Sequence, residues 1–148
     1  MIHKTLIALL LTVFFAASAG VSLLPSETSS SLQTINLRIT TDNNNIWRVQ
    51  DNEGKGKGTF KAKRADRINW LAMKSAMEFR FNKDVSNYLN FADGLFTDGK
   101  TQLVDANKRL RVSIKDTAPM DTLIYEVYVV EADTFVVGNS PPRLIISR

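Results

Sequence analysis

Along most of its length the chain alternates apolar and polar residues in steps of two. Ile35, Leu37 and Ile39 fall on one face, with Asn36, Arg38 and Thr40 on the other. The phase returns at Ile68/Trp70, at Met77/Phe79/Phe81 against Glu78/Arg80/Asn82, and at Leu110/Val112/Ile114 against Arg109/Arg111/Ser113/Lys115. Tyr125/Val127/Val129 and Leu144/Ile146 continue it. Successive side chains of a strand point to opposite faces, so this period, with β-branched and aromatic residues on the apolar phase, predicts half-buried strands. Turn-forming clusters separate the runs: Asp42-Asn43-Asn44-Asn45, Asn52-Glu53-Gly54, Asp93-Gly94, Asp98-Gly99, Ala118-Pro119 and Gly138 through Pro142. Several short strands at such spacing predict an all-β fold, an antiparallel sandwich or barrel. Val85–Phe91 is the one stretch expected to form a turn of helix.

Only Met73-Lys74-Ser75 separates the run Arg67–Ala72 from Ala76–Phe81. So short a link fits a hairpin or a strand crossing a sandwich corner. Either way Trp70, Phe79 and Phe81 face one core, and Trp70 is expected to pack on Phe79 and Tyr125.

The N-terminus has a different character. A short basic start, Met1-Ile2-His3-Lys4, leads into the apolar run Leu6–Ala17 and then Ala17-Ser18-Ala19, small residues at the spacing a signal peptidase accepts. Residues 1–19 therefore read as a secretory signal cleaved after Ala19, which implies a periplasmic or secreted protein. The alternative is an uncleaved membrane anchor, since Thr5 to Pro25 carries no charge over about the 20 residues a bilayer span needs. Residues 20–31, rich in Ser and Thr, read as a flexible tether, leaving 32–148 as a single domain large enough for its own core. The formal net charge of +4 is too mild to name a partner.

The strand runs also carry a resemblance. Ala65-Asp66-Arg67-Ile68-Asn69-Trp70 and Met77-Glu78-Phe79-Arg80-Phe81, then Lys108–Ile114, Thr122–Val129 and Pro141–Ile146, resemble the strands of the cupredoxin-like family, which implies a Greek-key antiparallel β-sandwich. The resemblance leaves cupredoxin-like and immunoglobulin-like topology both open. It implies a copper cysteine at Val129, a histidine near Ser75, Ala76 or Met77, and a further histidine, often with a methionine, in the loop Val130–Ser140. None of these is present. The chain has no cysteine, and its one histidine, His3, lies in the signal. A blue-copper centre needs two imidazoles and a thiolate, so a family fold would arrive here without its metal, and fold alone does not carry function. No cofactor and no metal site is expected.

Other chemistry finds little footing. Nucleophilic catalysis needs an activated group with a base in reach, and Ser113 with Lys115 share their strand face with Arg109 and Arg111, as a solvated face would. Carboxylates are scattered, and no turn has the converging spacing of a calcium loop. Asp93-Gly94, Asp98-Gly99 and Asp105-Ala106-Asn107 read as Asx turns. The expectation is a non-enzymatic protein with no catalytic residues.

Two contact surfaces are then expected. The loop Glu131–Pro142 keeps Phe135, Val136, Val137 and Asn139, an apolar set suited to a protein partner of the cell envelope. Lys55, Lys57, Lys61, Lys63 and Arg64 form the main charge cluster, suited to anionic lipid or polysaccharide; in an exported protein nucleic acid is not expected. The plainer explanation of the lysines is that they keep an edge strand soluble. The leading reading is an exported, non-catalytic binding or assembly module. The alternative is an envelope enzyme on the same scaffold using carboxylates, hydroxyls and lysines, which a cleft lined by two or more buried acids would favour.

Overall fold

Eleven strands, and no helix, make up the residues described by the computed structural model, 31–92, 98–138 and 141–148. In order they are β1 (Thr34–Thr41), β2 (Trp47–Gln50), β3 (Thr59–Lys63), β4 (Arg67–Ala72), β5 (Met77–Phe81), β6 (Leu89–Phe91), β7 (Thr101–Val104), β8 (Arg109–Ile114), β9 (Asp121–Val129), β10 (Thr134–Phe135) and β11 (Arg143–Ser147). They form two sheets, ordered β2-β1-β4-β8-β6 and β3-β11-β9-β5-β7, with β10 paired to β9. The signal and tether expected at 1–19 and 20–31 lie outside the described residues, apart from Ser31.

The alternation locates the core. Every apolar position of the periodic runs is buried, from Ile35, Leu37 and Ile39 to Leu144 and Ile146. Trp70, fully buried on β4, bridges the layers. Its ring meets Phe60, Phe79 and Tyr125 of the other sheet at centroid distances of 5.9, 5.7 and 5.7 Å, in tilted or edge-on geometry. Two facing sheets sharing one apolar interior make this a β-sandwich.

One expectation changes and two become specific. The sandwich is not wholly antiparallel: β1 runs parallel to β4, and β3 parallel to β11. After β2 returns beside β1, the chain crosses to the other sheet as β3, then re-enters the first as β4 on the far side of β1. Period-two alternation reports which face a residue occupies and is blind to strand direction. The Met73–Ser75 link is a corner, because β4 and β5 belong to different sheets; Lys74 turns it with φ of 68°. At Val85–Phe91 the carbonyl of Val85 accepts from the N–H groups of Tyr88 and Leu89, a single turn, before Leu89–Phe91 continues as strand.

Candidate functional site

The positions at which the resemblance places copper ligands do come together. Met77 on β5 pairs directly with Val129 on β9, and both side chains are fully buried. An aliphatic pair therefore fills the place. One residue out on each strand the contact becomes polar. The Glu131 carboxylate accepts from the Ser75 hydroxyl and, at 3.1 Å, from the Ala76 N–H. The Val130 N–H donates to the Ala76 carbonyl at 2.9 Å, and the Glu131 N–H reaches the Ser75 Oγ at 3.3 Å. Ser75 is buried, and its hydroxyl, which also lies 3.0 Å from the Ala76 carbonyl, is fully satisfied by the clasp. It ties the β4–β5 corner to the loop after β9. Among the described residues no group of three His, Cys, Asp or Glu side chains is placed to hold a metal ion.

Beyond the clasp the chain makes the strand β10, hydrogen-bonded back onto β9, with Phe135 opposite Tyr128. Phe135 and Val137 are about half exposed, at 43% and 53%. Val136 alternates inward and is buried, its N–H donating to the Val127 carbonyl at 2.8 Å. It anchors the loop and is largely covered, a correction to its place in the expected exposed surface, although it still helps to line the groove beside Phe135. Asn139 lies outside the described residues. The Tyr128 and Phe135 rings stand 5.2 Å apart, and the Arg80 guanidinium lies over both, at 5.4 and 5.5 Å. Glu78 fixes that guanidinium with a 2.6 Å ion pair and raises the arginine's pKa through the hydrogen bond. Beside the stack, Glu126, Phe135, Val137, Pro141 and Pro142 line a groove of about 280 Å³.

The lysines are more dispersed. Lys61 and Lys63 point outward from β3, an edge strand of its sheet. Lys57 lies exposed in the preceding loop, and Lys55 is paired with Glu53 at 2.8 Å. Arg64 donates from Nε to the Ala118 carbonyl at 3.0 Å. Outward charge on an edge strand blocks pairing with a second chain, which accounts for Lys61 and Lys63 without a ligand.

Two features were not foreseen. The first is a recess of about 660 Å³ beside β8, lined by Leu71, Phe91, Leu103, Lys108, Arg109 and Arg111, among others, with Asp105 as its one acid. The second is a buttress on Asp121 at the start of β9. The Lys83 ammonium and the Tyr88 hydroxyl both donate to its Oδ2, at 2.8 and 2.7 Å, and the Thr122 N–H donates to Oδ1. The Lys83 hydrogen bond, followed by the Tyr88 and Thr122 ones, lowers the Asp121 pKa to about 2. The Asp121 hydrogen bond in turn raises the pKa of Lys83 and of Tyr88. Each of these residues was visible in the sequence, but the path of the β5–β6 connection, which brings Lys83 and Tyr88 to Asp121, was not.

No family model and no curated protein sequence matches the chain. Among solved structures it is similar to a multicopper oxidase, with 9% identity and a TM-score of 0.44 over 78% of this chain and 44% of that one. It is likewise similar to Fet3p, a multicopper oxidase that functions in iron import, with 10% identity and a TM-score of 0.44 over 95% of this chain and 38% of that one. The chain spans less than half the length of either structure.

Proposed function

We propose that the chain is an exported, non-catalytic, cupredoxin-like sandwich that works as a binding module, docking a protein partner of the cell envelope through the Phe135 end. One observation carries the reading. Where the resemblance places a metal loop, an aromatic–arginine stack of Tyr128, Phe135 and Arg80 stands beside a groove floored by two prolines. Aromatic and arginine side chains dominate binding hot spots, and rings already held in place lose little entropy on docking.

The non-catalytic part of the proposal has its own support. Asp66 is the one fully buried acid among the described residues, and its oxygens accept backbone N–H groups, from Gln33 at 3.0 Å and Lys63 at 2.7 Å. It joins the β3–β4 turn to the start of β1 and is not poised over a cleft. The recess of about 660 Å³ beside β8 is lined mainly by basic and neutral side chains, with no pair of acids.

The test is site-specific photo-crosslinking in intact cells, with the photoreactive residue at position 135 or 137 and a control at position 61. A discrete adduct from 135 and 137, absent at 61 and lost with Arg80→Ala, is expected. Adducts only at 61, or none at any position in protein that has reached the envelope, would overturn the docking surface. Cell fractionation with N-terminal sequencing of the mature protein checks export separately, a new terminus after Ala19 being expected.

A further inference from the structure

We propose that the outer face of the sheet β2-β1-β4-β8-β6 is a second docking surface, for an acidic polysaccharide. The register lays out its rows. Arg38 lies beside Leu71 and Leu71 beside Arg109; Asn36 beside Asn69 and Asn69 beside Arg111; Thr34 beside Arg67 and Arg67 beside Ser113. On β2, Arg48 and Gln50 share this face by register, opposite Thr40 and Arg38, but Arg48 is paired with Asp42 at 2.6 Å and Gln50 is buried, so the open part of the face lies on β1, β4 and β8. No strand position on this face holds Asp or Glu.

The other sheet behaves differently. Its outer face mixes signs, with Glu78 and Glu126 set among Arg80, Lys61 and Lys63. Charge is thus segregated between the two faces of one small domain. Arg67 and Arg109 are exposed and have no carboxylate within ion-pair distance among the described residues. The Nε of Arg38 is buried without a hydrogen-bond partner, while its Nη2 donates to the Asn52 carbonyl at 3.4 Å. Arg38 and Arg109, next-but-one neighbours across Leu71 and so about 10 Å apart, are like charges that repel one another. A bound polyanion relieves that repulsion.

Charge complementarity gives the sign of the ligand, and the side chains between the arginines narrow its class. Asn36, Asn69, Thr34 and Ser113 are neutral donors and acceptors of the kind that read hydroxyl groups; the Asn69 amide already donates to Asn36 at 2.8 Å. Arginine grips carboxylate or sulfate with two parallel hydrogen bonds. No aromatic side chain projects from the strand positions of the central strands on this face, so unpaired bases have no stacking platform there. Leu71, half-buried, is the one apolar residue on it, too little to enter a bilayer. The recess of about 660 Å³ shares Leu71, Arg109 and Arg111 with the face, which gives a flexible acidic chain a place to turn in.

The experiment measures binding of the purified protein to polygalacturonate, with dextran as the uncharged control. Two variants each remove three positive charges: Arg67/Arg109/Arg111→Gln, and Lys57/Lys61/Lys63→Gln. The arginine variant is expected to lose about tenfold in Kd per arginine, the size of one charge-assisted hydrogen bond, and the lysine variant no more than a few-fold. Should the triple variant not fold by circular dichroism, Arg67→Gln and Arg109→Gln singly carry the same comparison. Equal losses in the two variants overturn the proposal, because net charge alone would then explain retention. Tighter, arginine-dependent binding to vesicles of phosphatidylglycerol or to a single-stranded oligonucleotide also overturns it. Photo-crosslinking at Phe135 is untouched by either result, so this surface and the protein-docking end stand or fall separately.

Discussion

Replacing Trp70 with alanine tests the architecture at its centre. The indole is fully buried on β4 and touches three rings from the facing sheet. Aromatic truncation in a core costs about 3–5 kcal/mol through lost transfer energy and the cavity left behind. Three ring contacts at about 0.5–1.5 kcal/mol each place this site toward the upper end. One term opposes them. The Trp70 Nε1–H makes no well-formed hydrogen bond; its polar neighbour is the Tyr125 hydroxyl, which donates to the Gly58 carbonyl at 2.9 Å and leaves the indole only a poorly aligned acceptor. Burial raises the Tyr125 pKa far above the usual phenol range, so that hydroxyl stays protonated and occupied as a donor. An unmet buried donor costs about 1–3 kcal/mol, which Trp70→Phe removes while keeping most of the ring contacts. Trp70→Ala is therefore expected to lose about 4–5 kcal/mol and Trp70→Phe about 1–2 kcal/mol.

Urea denaturation followed by far-UV circular dichroism reads both, with the fluorescence of Trp47, the other of the two tryptophans, as a second probe. With m unchanged, the midpoint shift gives the loss directly. A total stability of about 5–15 kcal/mol leaves the alanine variant folded but marginal. A loss under about 1 kcal/mol for Trp70→Ala would refute the shared core. A Trp70→Phe loss well above about 2 kcal/mol would refute the unmet indole donor, and one equal to the alanine loss would refute the ring contacts.

Further outcomes are expected elsewhere. Asp121, lowered from 3.8 to about 2 in the folded chain, contributes stability that is complete above its unfolded pKa and is lost as pH falls from about 4 to about 2. After allowance for its partial exposure, Asp121→Asn should cost about 1 kcal/mol at pH 7 and flatten the acid limb of a melting-temperature profile; an unchanged limb would show that the Lys83–Tyr88 buttress contributes nothing. In a double-mutant cycle, Ser75→Ala and Glu131→Gln should couple by about 1 kcal/mol, and strictly additive losses would mean the clasp is incidental.

The sandwich was legible because burial follows period two, and each buried strand position of β1, β4, β5, β8, β9 and β11 was in phase. Direction and partner were not. Nothing in Ile35–Ile39 or Ile68–Trp70 announces that β1 and β4 run parallel, since that depends on β2 and β3 passing between the sheets. Short strands with mixed faces, such as β6, β7 and β10, carry too few residues for a period to show. The same limit hid the contact surfaces. Phe135 and Val137 were visible as apolar residues, but Arg80, which covers Phe135, sits 55 positions earlier on another strand. The lysines drew the eye because they cluster in sequence. The arginines cluster only in register.

That contrast bears also on the place where the resemblance would put a metal. In a metal-binding loop, ligands from separate strands are held together by the ion, and losing the ion frees the loop. Here the two loops that the resemblance would join through a metal are joined instead by the carboxylate of Glu131 across Ser75 and Ala76, above the aliphatic pair Met77 and Val129. The clasp keeps the β9–β10 turn close to the β4–β5 corner, and Val136 is buried just beyond it. Phe135 consequently has one way to face, outward, under the Arg80 guanidinium. The clasp and the Phe135 surface are thus parts of one arrangement. A change that loosens Glu131 should weaken partner docking through the position of Phe135, while the arginine face on the opposite sheet, which shares no residue with the clasp, should be unaffected.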